Sequence, residues 1–135
     1  MPHSIDVLMV EDDPLIALNT KRALRRSPKI MAVSVATDGQ DALDRLLGGT
    51  LAFERLVILT DLSMPRLSGL ELAAAIRAEP SLRHLPIVVL TTSNDDADRQ
   101  AAAALMVAGY FVRSSTTAHL EDVVACLCAN AQRAA

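Results

Sequence analysis

The sequence predicts an α/β fold built on an open parallel sheet with helices on both faces. Two observations carry this. Short runs rich in valine, isoleucine and leucine alternate five times with longer segments of helical period. The runs are also continuously apolar rather than alternating, the pattern of strands covered on both sides. At 135 residues the chain suits one domain with a real core and leaves little room for a second. A single domain over residues 1–135 is therefore expected.

The elements follow in order. Ile5 to Val10 reads as a buried strand. Asp13 is the expected N-cap of a helix from Pro14 to Arg26, with proline at the first helical position. Met31 to Ala36 is a second strand, and Asp38 to Leu47 a helix closed by Gly48 and Gly49. Leu56 to Thr60 makes the third strand, and Leu67 to Ala78 a helix stopped near Pro80. Ile87 to Thr91, after Pro86, is the fourth strand. The acidic run from Asn94 to Asp98 caps and starts an alanine-rich helix, Asp95 to Ala108, which ends at Gly109. Tyr110 to Arg113 is a short fifth strand, and Ala118 to Ala129 the last helix. No repeat, low-complexity tract or linker is visible, and no output domain is expected after the fifth helix.

Composition narrows the function. Half the residues are hydrophobic but only 2% aromatic, so alanine and branched aliphatics must build the core. A net charge of −3 gives no footprint for nucleic acid or an anionic membrane. No apolar stretch approaches a membrane span, and the start, MPHSIDVLMVEDD, lacks the basic and apolar regions of a signal peptide. Cys126 and Cys128 stand two apart, on nearly opposite sides of a helix, and read as small packed thiols in a reducing cytosol. A cytoplasmic location is expected.

In a doubly wound sheet, ligands bind beyond the carboxyl ends of the strands. Those ends carry Glu11-Asp12-Asp13, Thr60-Asp61, Thr91-Thr92 and Arg113. Asp13 is accounted for as a cap. Asp61 alone would read as a cap or loop charge; its company makes it a candidate for chemistry. Clustered carboxylates repel unless a cation joins them, and Mg²⁺ with oxygen ligands suits an open acidic site. A hydroxyl and a guanidinium beside that ion suit a phosphoryl group, with Asp61 as the nucleophile that forms an acyl phosphate. A nucleotide site in the first loop is disfavoured, since acids stand where glycines and backbone donors are needed.

With these residues in view, the chain resembles the receiver domain of two-component response regulators over essentially its whole length. The matching stretches are VEDD, LTDLSMPRLSGLEL, PIVVLTTS and GYFVR. The resemblance implies a flavodoxin-like, doubly wound, five-stranded parallel sheet in the order 2-1-3-4-5 with five helices. It implies Asp61 as phosphoacceptor and metal ligand, Asp12 as direct Mg²⁺ ligand, Glu11 acting largely through water, and the backbone carbonyl of Ser63 completing the set. It also implies Thr91 as switch hydroxyl, Tyr110 as switch aromatic, and slow self-dephosphorylation rather than enzyme turnover, with Ser63 and Ser93 flanking the water. The phosphoryl donor would be a histidine kinase or histidine phosphotransfer protein. Output would be a contact with a downstream protein or a phosphorelay, through the fourth helix, fifth strand and fifth helix. That face is expected to expose small apolar side chains, including Ala101 to Ala104 and Val123 to Ala125, and to permit a homodimer. The stretch DLSMPRLSG and the tail-less length also resemble stand-alone regulators paired with bacterial phytochromes.

One departure matters. The family carries lysine then proline at the end of the fifth strand; here the residues are Arg113-Ser114, and no lysine occurs beyond Lys29. Arginine keeps the charge but is longer, planar and less tolerant of position. Without proline a cis bond would cost roughly 3 kcal/mol, so a trans Arg113–Ser114 bond is expected. This opens an alternative, a phosphorylation-independent pseudo-receiver acting as a binding module. A haloacid dehalogenase-like phosphatase, from another class, needs a second acid two residues after the nucleophile, where Ser63 stands. His84 and His119 receive no role.

Overall fold

The computed structural model describes residues 4–49, 51–113 and 120–134. Strands and helices alternate: β1 (Ile5–Val10), α1 (Pro14–Leu24), β2 (Ile30–Ala36), α2 (Gly39–Leu47), β3 (Leu56–Thr60), α3 (Gly69–Ala78), β4 (Ile87–Thr91), α4 (Asp96–Ala104), β5 (Gly109–Val112) and α5 (Leu120–Ala134). The strands form one parallel sheet in the order β2-β1-β3-β4-β5. The order reverses between β1 and β3, so the crevice beyond their carboxyl ends is the natural ligand position. This is the flavodoxin-like architecture that the sequence predicts.

Continuous apolar strands follow from cover on both faces. Val7, Met9, Val57, Leu59 and Val88 pack against Ala17 and Leu24 of α1 and Val123 and Leu127 of α5. Leu8, Val10, Ile58 and Ile87 pack on the other side against Ala42 and Leu46 of α2 and Leu72 and Ile76 of α3. Each fully buried aliphatic side chain contributes about 1.5–3 kcal/mol.

The helix starts are capped by their own side chains. Asp13 Oδ1 accepts the amides of Leu15 at 2.9 Å and Ile16 at 3.3 Å, and Asp95 Oδ1 that of Ala97 at 2.9 Å. Ser68 and Glu71 form a reciprocal capping box, which sets the start of α3 at Gly69 rather than Leu67.

α5 runs on to Ala134, past the expected Ala129, while α4 ends early, at Ala104 and not at Ala108. Tertiary structure stops α4. Ala108 must donate its amide to Ile87 to open β5, and Met106 turns the chain with φ 59°. Arg77 fixes that turn, its guanidinium donating to the carbonyls of Arg83, Leu85, Leu105 and Met106. The small apolar face is also narrower than expected: Ala102 and Val123 are fully buried, while Ala103, Ala104 and Ala125 remain exposed. Both belong to inward-facing stripes of their helices, which a run of small residues does not reveal.

Candidate functional site

Strand register sets the site before any side chain does. Val10 lies opposite both Ala36 and Thr60, so Glu11 and Asp61 leave adjacent strands at one level. The sheet ladder still holds both backbones, through Glu11 N–H to Ala36 at 3.0 Å and Asp61 N–H to Val10 at 3.2 Å. Thr91 pairs with Val112, which brings Arg113 out beside it, and the Arg113 amide donates to the Thr91 carbonyl.

Glu11, Asp12 and Asp61 each place one carboxylate oxygen within 4.8 Å of the other two. Their settings differ: Glu11 is buried, Asp61 half-buried and Asp12 exposed. Glu11 Oε2 accepts the Asp13 amide at 3.1 Å, and its Oε1 accepts from Arg113 at 3.2 Å. Burial pushes the Glu11 carboxyl above its ordinary value and the charge of Asp61 adds to this, while the Asp13 amide and Arg113 oppose it. Asp61 Oδ1 accepts the Leu62 amide at 2.7 Å, and among the described residues its Oδ2 has no hydrogen-bond partner. Behind it, the Thr60 hydroxyl donates to the Asp61 carbonyl at 2.8 Å.

Around this centre the switch candidates are connected. Thr91 is buried, and its Oγ1 accepts the Ser93 amide at 3.3 Å. Tyr110 donates its hydroxyl to the Ser93 carbonyl at 3.1 Å, and the Arg99 guanidinium lies 4.6 Å over its ring. The Ser93 hydroxyl is engaged separately, donating to Asp98 at 2.6 Å.

Residues 7–125 match the family described as the response regulator receiver domain. The chain belongs to this family. It is 34% identical to the probable methanogenesis regulatory protein FilR2 of Methanothrix harundinacea (strain 6Ac), over 87% of this chain and 77% of that protein. Among solved structures it is similar to the bacteriophytochrome response regulator RtBRR, with 32% identity, a TM-score of 0.78, and 92% and 78% of the two chains covered. It is also similar to the phosphorylated cyanobacterial phytochrome response regulator RcpA, with 28% identity, a TM-score of 0.78, and 90% and 89% covered.

Receiver domains bind Mg²⁺ at an acidic pocket, and the residues of this receiver fit that ion. The donors are all oxygen, three carboxylates converge, and Arg113 is the one cation bonded to them among the described residues. That leaves a negative excess which a hard divalent cation would balance.

The fold thus gathers Glu11, Asp12, Asp61, Thr91 and Arg113 at one edge, and connects Tyr110 to them through Ser93. Ser63 lies exposed in the loop that follows Asp61. The Arg113–Ser114 bond, the Ser114 to Thr117 loop, Ala118 and His119 lie outside the described residues. His84 sets its ring edge-on to Phe53, with centroids 6.5 Å apart. Both cysteines are free, Cys126 half-buried and Cys128 buried. Among the described residues no helix is long and apolar enough to cross a membrane.

Two features escaped the sequence. Arg99 over Tyr110 depends on a helix facing a strand. Arg66 pairs with Asp38 across 28 positions, at Nε–Oδ2 2.9 Å, and nothing in the local pattern marks either as the other's partner.

Proposed function

We propose that this receiver takes a phosphoryl group from the phosphohistidine of a kinase or phosphotransfer protein onto Asp61. Receiver domains engage histidine kinases and downstream targets in general. The observation that carries the reading is the convergence of Glu11, Asp12 and Asp61 within 4.8 Å at the carboxyl edge of the sheet. The less encumbered oxygen of Asp61, Oδ2, forms the bond to phosphorus as the donor's N–P bond breaks, and the electron pair stays on the imidazole. Glu11, Asp12 and Asp61 would hold Mg²⁺, with the backbone carbonyl of Ser63 completing the protein's share. The ion supplies neutralising charge for the carboxylates and the phosphoryl oxygens. Thr91 donates its hydroxyl to a phosphoryl oxygen, and Arg113 supplies a second positive charge. The phosphoryl group is later lost to water, slowly, so the domain signals rather than turns over substrate.

The output follows from what Thr91 touches. When its hydroxyl turns to the phosphoryl group, Ser93 loses an acceptor, and Tyr110, bonded to Ser93, changes its setting. The surface of α4, β5 and α5 then presents a different face to a target protein, a phosphorelay partner or a second copy. Its exposed alanines, Ala103, Ala104 and Ala125, permit close approach. Light scattering that finds only monomer, with and without phosphorylation, would remove the homodimer. Action in the cytoplasm, without nucleic acid or membrane contact, suits its composition and its net charge of −3.

One observation favours a second reading. The guanidinium of Arg113 rests on Glu11, where it already satisfies a buried acid. A pseudo-receiver would use that pair as a fixed strut and bind its partner without phosphorylation. Incubation with Mg²⁺ and acetyl phosphate, beside Asp61→Asn, separates the two by intact mass. A Mg²⁺-dependent adduct on wild type alone is expected; no adduct, with equal partner affinity for both proteins, would leave the strut.

A further inference from the structure

Arg66 occupies a backbone conformation that arginine rarely adopts. Its φ is 66°, and the Leu67 amide donates across it to the Pro65 carbonyl at 2.8 Å. This is a three-residue turn of the strained, left-handed kind, where glycine or asparagine would sit more easily. Such strain persists only where the surroundings hold it, and it gathers at functional loops. The holding contact is a two-pronged ion pair: Arg66 Nε lies 2.9 Å from Asp38 Oδ2, and a terminal nitrogen donates to Oδ1 at 3.1 Å. Asp38 is a fixed anchor, for it is buried and caps α2 by accepting the Asp41 amide at 2.8 Å.

Two further contacts close the same loop. Gly69 donates its amide to Leu62 at 2.9 Å, tying the loop's base. Gly39 lets its flank approach, because a Cβ there would stand 2.2 Å from the Leu67 carbonyl oxygen. The segment from Asp61 to Gly69 is thus held at base, flank and apex, and Arg66 is the apex.

We infer that Arg66 is a positioning residue for the divalent-cation site: its fork on Asp38 fixes the loop that carries Asp61 and Ser63. The inference rests on the metal-assisted reading given above. It also makes a prediction opposite in sign to simple electrostatics. A positive charge near a cation site disfavours the ion, so deleting it should tighten binding if charge alone counts. If Arg66 positions the loop, deleting it weakens binding.

The test is calorimetric titration of Mg²⁺ into wild type, Arg66→Gly and Arg66→Lys, together with backbone amide exchange. Glycine accepts the positive φ, so its variant loses the ion pair without keeping the strain. Arg66→Gly should bind Mg²⁺ about threefold to tenfold more weakly, a range bounded by what an exposed pair and its loop can contribute. Arg66→Lys, with charge but no fork, should fall between. Amides of residues 62–67 should exchange faster in Arg66→Gly while those of β1 and β3 keep wild-type protection. Equal or tighter Mg²⁺ binding by Arg66→Gly, beside a wild type that binds, overturns the inference and leaves the metal reading standing. A wild type that binds no Mg²⁺ overturns both.

Discussion

Thr91 and Tyr110 are joined through the backbone of Ser93, whose amide donates to the Thr91 hydroxyl at 3.3 Å and whose carbonyl accepts from the Tyr110 hydroxyl at 3.1 Å. One residue therefore bridges the buried hydroxyl at the end of β4 and the aromatic ring on the outer strand. Arg99, 4.6 Å above the Tyr110 ring, holds the aromatic from the other direction.

This link can be read optically. Tyr110 is the sole tyrosine and the chain has no tryptophan, so intrinsic tyrosine emission reports one ring. Mg²⁺ with beryllium fluoride, a tetrahedral mimic of an acyl phosphate, should change that emission in wild type. Thr91→Val, which keeps the shape and deletes the hydroxyl, should bind the mimic without the change. A Thr91→Val response equal to wild type would falsify the relay through Ser93.

Arg113 and Glu11 form a pair whose loss should be felt without any phosphate. The Glu11 side chain is 3% exposed and that of Arg113 20%, so the acid is dry and the cation only partly so. Arg113→Ala leaves Glu11 without its cation, while the Asp13 amide still donates to it. The expected cost is about 1–3 kcal/mol, below that of a fully buried broken pair because water reaches the arginine. In Glu11→Gln/Arg113→Ala the two losses should not add, with a coupling of about 1 kcal/mol. Urea unfolding of the four proteins at neutral pH without Mg²⁺ measures this; strict additivity would show that the two groups are independent.

Much of this was legible before folding, and the reason is where the information sits. The strand and helix order is written in local patterns, and the acids stand at strand ends that an α/β fold must bring to one edge. Asp61 and Glu11 become neighbours because β1 and β3 pair, which follows from the fold class alone. What could not be read are contacts between elements fixed only by packing: Arg66 on Asp38, Arg99 on Tyr110, and Arg77 on the turn that ends α4. Ala102 and Val123 were misread for the same reason, since an alanine-rich helix does not declare its inner stripe. The bidentate pair at Asp38 was hidden further, because the N-cap role already explained that aspartate.

Gly69 is required by contact rather than by backbone freedom. A Cβ there would lie 2.1 Å from the Asp61 carbonyl oxygen and 2.8 Å from the Leu62 Cα, both backbone atoms that cannot rotate away. Gly69→Ala should therefore push the end of β3 and α3 apart, costing about 1–3 kcal/mol as an overpacked site. Acceptance of phosphoryl from acetyl phosphate should slow with it. Gly48→Ala is the matched control, for its added carbon comes no nearer than 3.0 Å to the Asp44 carbonyl oxygen. Thermal melts and intact-mass time courses should separate the two variants; equal behaviour would mean that the loop yields freely.

The acid limb of stability should report on the clamp at Asp38. The Asp38 carboxyl is held below the ordinary aspartate value, first by the Asp41 amide and then by Arg66. Asp41 is held low by the Thr37 amide and by Arg45. In both, the fold favours the charged form, so the unfolded chain binds protons more readily as the pH falls. The stability they contribute is complete above the unfolded aspartate value, about 3.9, and is lost as the pH drops through their lower folded values. Urea midpoints measured from pH 6 down to pH 3 should decline steadily over the last unit, and less steeply in Asp38→Asn. Asparagine can still accept the Asp41 amide and cap α2, but it cannot pair with Arg66 as an anion. An Asp38→Asn slope as steep as wild type would show that the aspartate's charge contributes nothing to the fold, and that Arg66 is held by the turn alone.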